Sequence, residues 1–279
     1  MSKLNAMFFA QKKFDMKKFW AIAFIFSYFA SCAQDFNLFQ KKEFTDSKGK
    51  VLPYRILYPE NYDKSKKYPL ILFLHGAGEK GNDNEQQLKH GAILFLADSN
   101  RENFPCFVVF PQCPADSSWG SVKVDHSKTP YKFSFNYTVS ETWAMAAVME
   151  LLKEIIKEES VDKSCLYVTG LSMGGIGTFE VVYRYPNIFA AALPMCGGGD
   201  TLHYDNRVNK TSFWIFHGDA DAIVSVNNSR AMVAKLKALN VDVKYTEYPG
   251  VNHNSWNNAF AEPTLLSWMF LHKRDKTKL

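Results

Sequence analysis

The chain has 279 residues, of which 47% are hydrophobic and 22% charged. That is long enough for one large domain with a substantial core, and the composition excludes a disordered or fibrous chain. The formal charge of +5 is concentrated in the first 33 residues, where Lys3, Lys12, Lys13, Lys17 and Lys18 face one acid, Asp15. The remainder is close to neutral, so no basic surface for nucleic acid is expected.

The leader predicts export. Lys17 and Lys18 precede an apolar run from Phe19 to Ala30, followed by the small residues Ser31 and Ala33. About a dozen apolar residues suit a signal-peptide core and are too few to span a bilayer as a helix. Met16 is a plausible start for such a signal. Two processing routes stay open. Cleavage after Ala33 leaves a soluble protein starting at Gln34. Alternatively, Phe29-Ala30-Ser31-Cys32 resembles a bacterial lipobox, with Phe where Leu is commoner, and makes Cys32 a lipid-anchored terminus, the one membrane attachment expected. The destination is then periplasmic, outer-membrane or extracellular. Residues 1–33 are read as this signal and 34–279 as a single catalytic domain.

Of the cysteines that remain, Cys106 and Cys113 bracket a strand-like Phe107–Phe110 run. An extended segment of that length separates its ends by roughly 20 Å, beyond disulfide reach. Cys165 and Cys196 are read at opposite ends of successive strands, so four free or buried thiols are expected.

Downstream, Phe44 to Tyr58 predicts a pair of β segments turning at Lys48-Gly49. Continuous apolar runs suited to strands covered on both faces follow at Leu70–Leu74, Phe107–Phe110, Leu166–Thr169, Ala190–Met195, Phe213–Phe216 and Val243–Tyr248. Helical stretches are expected at Ser140–Lys157, where Trp143, Ala147, Leu151 and Ile155 share a face and Ser140 is the expected cap, and at Met173–Tyr185, Val226–Leu239 and Pro263–Leu271. This alternation predicts an α/β fold, a doubly wound, mostly parallel sheet with its site at the carboxyl ends of the strands.

Gly170-Leu171-Ser172-Met173-Gly174 follows the run Leu166–Thr169 and opens a helical stretch. Strand, tight turn and helix make a nucleophile elbow, with Ser172 as the candidate nucleophile. A serine hydroxyl needs a base. Of the histidines downstream, His272 belongs to a lysine-rich terminal stretch, His203 precedes the acid candidates, and His217 ends a strand and shapes the loop beyond it. His253, in a loop after the run Val243–Tyr248, is the expected base. Asp219 and Asp221, after His217-Gly218, are both candidates for the orienting acid, and Asp221 is the better placed to reach across. The oxyanion donors are expected to be the N–H of Met173 and an N–H in His75-Gly76-Ala77-Gly78, from Ala77 or alternatively Gly78. That loop lacks the later Gly-Lys-Ser/Thr of a phosphate-binding loop. Between Gln112 and Tyr137, Trp119, Tyr131, Phe133, Phe135 and Tyr137 suit either a cover for the core or a platform for a sugar or aryl ring. Trp119 is the candidate substrate contact there, and Glu79, beside Lys80 at the oxyanion loop, is a second. No cluster has metal-ligand spacing, and no metal or other cofactor is expected.

The segments His75–Gly81, Gly170–Gly175, His217–Asp221 and Gly250–His253 together resemble the prolyl-oligopeptidase-like esterases, which include the acetylxylan and feruloyl esterases of carbohydrate esterase family one and the polyhydroxyalkanoate depolymerases. The resemblance covers roughly residues 44–272. It implies the α/β-hydrolase fold and a triad of Ser172, Asp221 and His253. The function it implies is a serine esterase acting through an acyl-enzyme on acetyl or feruloyl esters of plant polysaccharide or its fragments. The partners implied are a small-molecule or polysaccharide ester. A serine peptidase on short peptides is the alternative, set back because the expected single domain leaves no room for a gating propeller. Nor is there room before Phe44 for a carbohydrate-binding module, so a polymer is expected to be gripped by the domain's own loops. An inactive binding module is disfavoured by the complete set of triad residues.

Overall fold

The computed structural model describes residues 35–274; the expected signal segment and Cys32 lie outside them. An eight-stranded mixed sheet runs through the molecule in the order β1-β2-β4-β3-β7-β8-β9-β10. Its members are β1 (Phe39–Thr45), β2 (Val51–Leu57), β3 (Tyr68–Leu74), β4 (Phe107–Pro111), β7 (Val161–Leu171), β8 (Ala191–Met195), β9 (Ser212–Gly218) and β10 (Val243–Tyr248). The first three positions are antiparallel neighbours and every pairing from β4 onward is parallel.

The continuous apolar runs are strands because the sheet is covered on both faces. In β3, Leu70, Leu72 and Leu74 enter one core while Ile71 and Phe73 enter the other. In β4, Phe107 and Val109 separate in the same way from Val108 and Phe110. Side chains alternate with period two, so each strand supplies both layers. The first layer is completed by α3 (Trp143–Glu158), α4 (Met173–Arg184) and α5 (Asn227–Ala238). The second is completed by α1 (Ala92–Leu96), α6 (Trp256–Phe260) and α7 (Leu265–Leu271). The short α2 (Asp98–Asn103) leads into β4.

Several expectations need correcting. β1 starts at Phe39, ahead of Phe44, because Phe39 is fully buried against Phe110. Helix α3 is capped by Thr142 rather than Ser140: the Thr142 hydroxyl accepts from Met145 N–H at 3.3 Å. The stretch read as an aromatic loop contains a hairpin, β5 (Val122–Asp125) paired with β6 (Lys132–Phe135). Val122 faces Phe135 and Val124 faces Phe133 across it, giving the ribbon one half-buried apolar side. One end is held by the buried Glu180 carboxylate, which accepts from Ser121 N–H and Ser121 Oγ–H. The other end is held by a backbone bond from Tyr131 N–H to the Ile223 carbonyl. Among the described residues, Cys106, Cys113, Cys165 and Cys196 are all free and buried.

Candidate active site

The site is assembled at the carboxyl ends of β3, β7, β8, β9 and β10. Ser172 follows β7 directly and sits at φ +53°, ψ −114°, a region that costs a residue with a Cβ on the order of 1–3 kcal/mol. Its N–H donates to the Met195 carbonyl at 2.9 Å, which anchors the turn to β8. A Cβ on Gly174 would overlap the Leu74 carbonyl oxygen, so only glycine lets the turn approach the end of β3 this closely.

Ser172 Oγ–H donates to His253 Nε2 at 2.9 Å, and His253 Nδ1–H donates to Asp221 Oδ2 at 2.8 Å. Asp221 is an acceptor-only carboxylate, so the proton between them belongs to Nδ1 and Nε2 is free to act as base. The other carboxylate oxygen accepts from Ile223 N–H at 2.8 Å and Val224 N–H at 2.9 Å. Burial pushes the Asp221 carboxyl up, but the hydrogen bonds from His217 and His253 outweigh it and hold the group well below the usual carboxylate range. Asp219 does not reach the histidine. It is exposed, and its carboxylate accepts from Gly250 N–H at 2.6 Å, fixing the loop that carries His253. A Cβ on Gly218 would overlap the Val251 carbonyl, so the acid and base loops touch through backbone.

The Met173 N–H opens α4, among the first-turn donors that a helix leaves without internal partners, and no side chain caps them. Ala77, exposed, begins the short turn Ala77–Glu79 beyond β3. His75 braces that turn. Its Nδ1–H donates to the Gly76 carbonyl at 2.6 Å and its Nε2 accepts from Cys113 N–H at 2.8 Å, while burial pulls its pKa down to about 4 and keeps it neutral.

Two candidate substrate contacts are placed elsewhere. Trp119 is 0% exposed, packed over Gly177 of α4 with its ring edge-on to His75 at 5.3 Å. It is a core residue behind the oxyanion loop and offers no surface to a ligand. Glu79 is 5% exposed, and its carboxylate lies 3.6 Å from His90 Nε2. It sits beneath the loop with Gly76 and Leu171 rather than in open space. Of the remaining histidines, His203 pairs with buried Asp200 at 2.6 Å and His272 donates to the Trp268 carbonyl at 2.8 Å.

Sequence reasoning missed two contributors, Trp256 and Asn252, and one contact of His217, which was expected to shape the acid loop and does so through the Val224 carbonyl at 2.9 Å. Trp256 packs edge-on against His253 at 5.4 Å. Asn252 Oδ1 accepts from Ala222 N–H and from His253 N–H, joining acid and base loops. His217 contacts Asp221 directly, at 3.1 Å. Only Trp256, three residues after the base in a short helix, left a readable signal. Cys196 also has its sulfur within 4.8 Å of Asp221 and His253 donor atoms. However, both His253 nitrogens are engaged by Asp221 and Ser172, and burial pushes the thiol up so that it stays protonated.

Residues 61–263 match the phospholipase/carboxylesterase family model. Carboxylesterase SOBER1 of Arabidopsis thaliana is 26% identical over 195 residues, covering 67% of this chain and 84% of its own. A thermostable esterase of known structure is 35% identical with a TM-score of 0.77, over 85% of this chain; the match spans 64% of that esterase's length. A ferulic acid esterase from Anaeromyces mucronatus, solved with ferulic acid, shares the fold at 14% identity and a TM-score of 0.60, over 82% of this chain and 89% of its own. The chain belongs to the phospholipase/carboxylesterase family, has the α/β-hydrolase fold and is a serine ester hydrolase.

The placement of Trp119 has a measurable consequence. Trp119→Ala is expected to cost about 3–5 kcal/mol, the range for removing a buried aromatic, read as a fall in the denaturant midpoint. A selective rise in KM for bulky esters, on a protein of unchanged stability, would return Trp119 to the substrate site.

Proposed function

We propose that this hydrolase removes acyl groups, acetyl or feruloyl, from esterified plant polysaccharide or its fragments. The observation that carries the chemistry is the unbroken hydrogen-bonded chain from Ser172 through His253 to Asp221 on a strained turn. Ser172 Oγ attacks the ester carbonyl carbon as its proton passes to His253 Nε2, and Asp221 stabilises the imidazolium formed. The oxygen that gains the charge is received by the N–H groups of Met173 and Ala77. On collapse, the alkoxide leaves with the proton from His253 and the acyl group stays on Ser172. Water, deprotonated by the same nitrogen, then releases it.

Support for a sugar-bearing substrate comes from an open groove of about 1100 Å³ lined by the β5–β6 hairpin, the start of α3 and the loop at Asp200–His203; the triad residues themselves do not line it. Its lining includes Lys80, Phe135, Trp143, Leu202 and the Asp200–His203 pair. Gly120, one of its lining residues, lies against Ile176, one turn into α4 from Ser172. Aromatic faces among polar groups suit a sugar or aryl ring, and ferulic acid is the ligand of the Anaeromyces relative in fold. The lysine-led apolar leader supports action after export, soluble or anchored at Cys32.

Ser172→Ala is expected to lower kcat on acetyl and feruloyl esters by about 10⁶-fold. Asp221→Asn should lower it by up to about 10⁴-fold in a folded protein, with Asp219→Asn milder. A larger loss in Asp219→Asn would reassign the acid. Higher kcat/KM on a peptide amide than on acetylated xylan or methyl ferulate would replace the esterase reading with a peptidase. For export, intact mass of the protein from its native host should show a Gln34 terminus or an acylated Cys32; a retained Met1 or Met16 would contradict both routes.

A further inference from the structure

Away from the triad, one charged side chain is buried without an opposite charge. Arg274, just after α7, is 8% exposed. Its backbone N–H donates to the Ser164 carbonyl at 2.8 Å, and its Nη1 donates to the Ile188 carbonyl at 3.2 Å. Among the described residues no other acceptor meets the guanidinium, and no carboxylate lies within ion-pairing distance of it. Burial lowers its pKa from the usual arginine value, and no acid offsets the effect. Arginine is almost never buried unless paired, because the water lost from the charge has to be replaced. A guanidinium offers several N–H donors in a rigid fork, and here only Nη1 is engaged.

The remaining nitrogens are not sealed in the core, since Arg274 lines an open pocket of about 520 Å³. Asn187, Asn206, Arg207, Asn209, Lys210 and Lys273 complete the lining, which contains no acidic residue. Asp205 neutralises Arg207, whose Nε lies 2.9 Å from both carboxylate oxygens. Lys210, Lys273 and Arg274 form no ion pair among the described residues. Three unpaired cations and three side-chain amides therefore surround one space.

Three loops bring them together: Asn187 between α4 and β8, Asn206–Lys210 before β9, and Lys273-Arg274 after α7. All lie at the amino ends of their strands. Ser164, which anchors Arg274, is eight residues before Ser172 along β7 and its turn, roughly 26 Å of extended chain. The pocket is at the end of the sheet opposite the triad.

The geometry points to a second binding site, for an oxyanion: a carboxylate, sulfate or phosphate group held in the fork of Arg274, by the point charges of Lys210 and Lys273, and by the asparagine amides. Such groups match a guanidinium fork bidentately, and one bound here supplies the countercharge that the fold withholds from Arg274. The site is remote from Ser172, so its occupant stays in place while an ester is turned over. The group belongs to a free ion or to an acidic sugar unit; only the sugar source rests on the polysaccharide reading.

The test is calorimetric binding and melting temperature of the full chain at low ionic strength, with inorganic phosphate and with a galacturonate trisaccharide. At least one should bind and raise the melting temperature. Arg274→Gln keeps a donor toward Ile188 without the charge and should abolish this binding. Lys210→Ala with Lys273→Ala changes two exposed residues and should weaken it by about tenfold per lysine, the size of a lost charged hydrogen bond. Both variants should retain kcat on p-nitrophenyl acetate, so the result is independent of the esterase assignment. Tighter binding of the trisaccharide than of phosphate assigns the group to an acidic sugar, and the reverse assigns a free ion. Equal stabilisation of the unmodified protein and the variants is a general salt effect and overturns the proposal, as does no binding of either anion. Binding that appears only in Asp275→Asn gives the pocket to the chain's own carboxylate and also overturns it. If Arg274→Gln does not fold, the lysine pair decides.

Discussion

The backbone contact between the nucleophile turn and the ends of its neighbouring strands is the constraint on which the rest of the site depends. Ser172 occupies a strained conformation, and its N–H is tied to Met195. Gly174 lies against the Leu74 carbonyl with no space for a Cβ. The same close approach brings the first N–H of α4 to the loop that leaves β3. The strain is sustained by two fully buried layers on either side of the sheet, which over-determine where β3, β7 and β8 end.

The acid and base loops are joined as tightly, without sharing a strand. Gly218 abuts Val251, Asp219 binds Gly250 N–H, and Asn252 links Ala222 to His253. Each contact places the ring of His253 relative to Asp221 before any substrate arrives. A base held in this way loses little freedom on going to the transition state. The hairpin extends the arrangement, since it is fixed to α4 through Glu180 and to the acid loop through Ile223. Its half-buried apolar side is therefore presented on a frame shared with the triad.

Much of this was legible in the sequence, for a physical reason. Ser172 and Asp221 each follow an apolar run that is a buried strand. His253 follows β10, which proves to be a half-buried edge strand with Lys244 exposed rather than a strand covered on both faces. In a doubly wound sheet such positions converge. The central strands were readable because both their faces are covered. Trp119 was not readable as a core residue. It stands among polar residues in a loop, and what buries it is Gly177, distant in the chain and small enough to admit the ring. The β5–β6 hairpin was hidden similarly. Its alternation at Val122–Asp125 and Lys132–Phe135 lasts four residues per strand, too short to stand out from the intervening loop. Thr142 outcompeted Ser140 as a cap because its hydroxyl both accepts from Met145 and donates to the Ser118 carbonyl. His217 was legible as a residue shaping the acid loop, since it ends β9, but its direct contact with Asp221 was not, because that depends on how the loop folds back over the ring.

The central claim is that Ser172 is a nucleophile activated by His253. The most direct measurement is reaction of the folded full chain with a fluorophosphonate, followed by peptide mass spectrometry. The account predicts a single phosphonyl adduct on the peptide carrying Ser172, lost in a folded His253→Ala variant. Folded protein that takes no adduct, or takes it on another serine, would contradict the account.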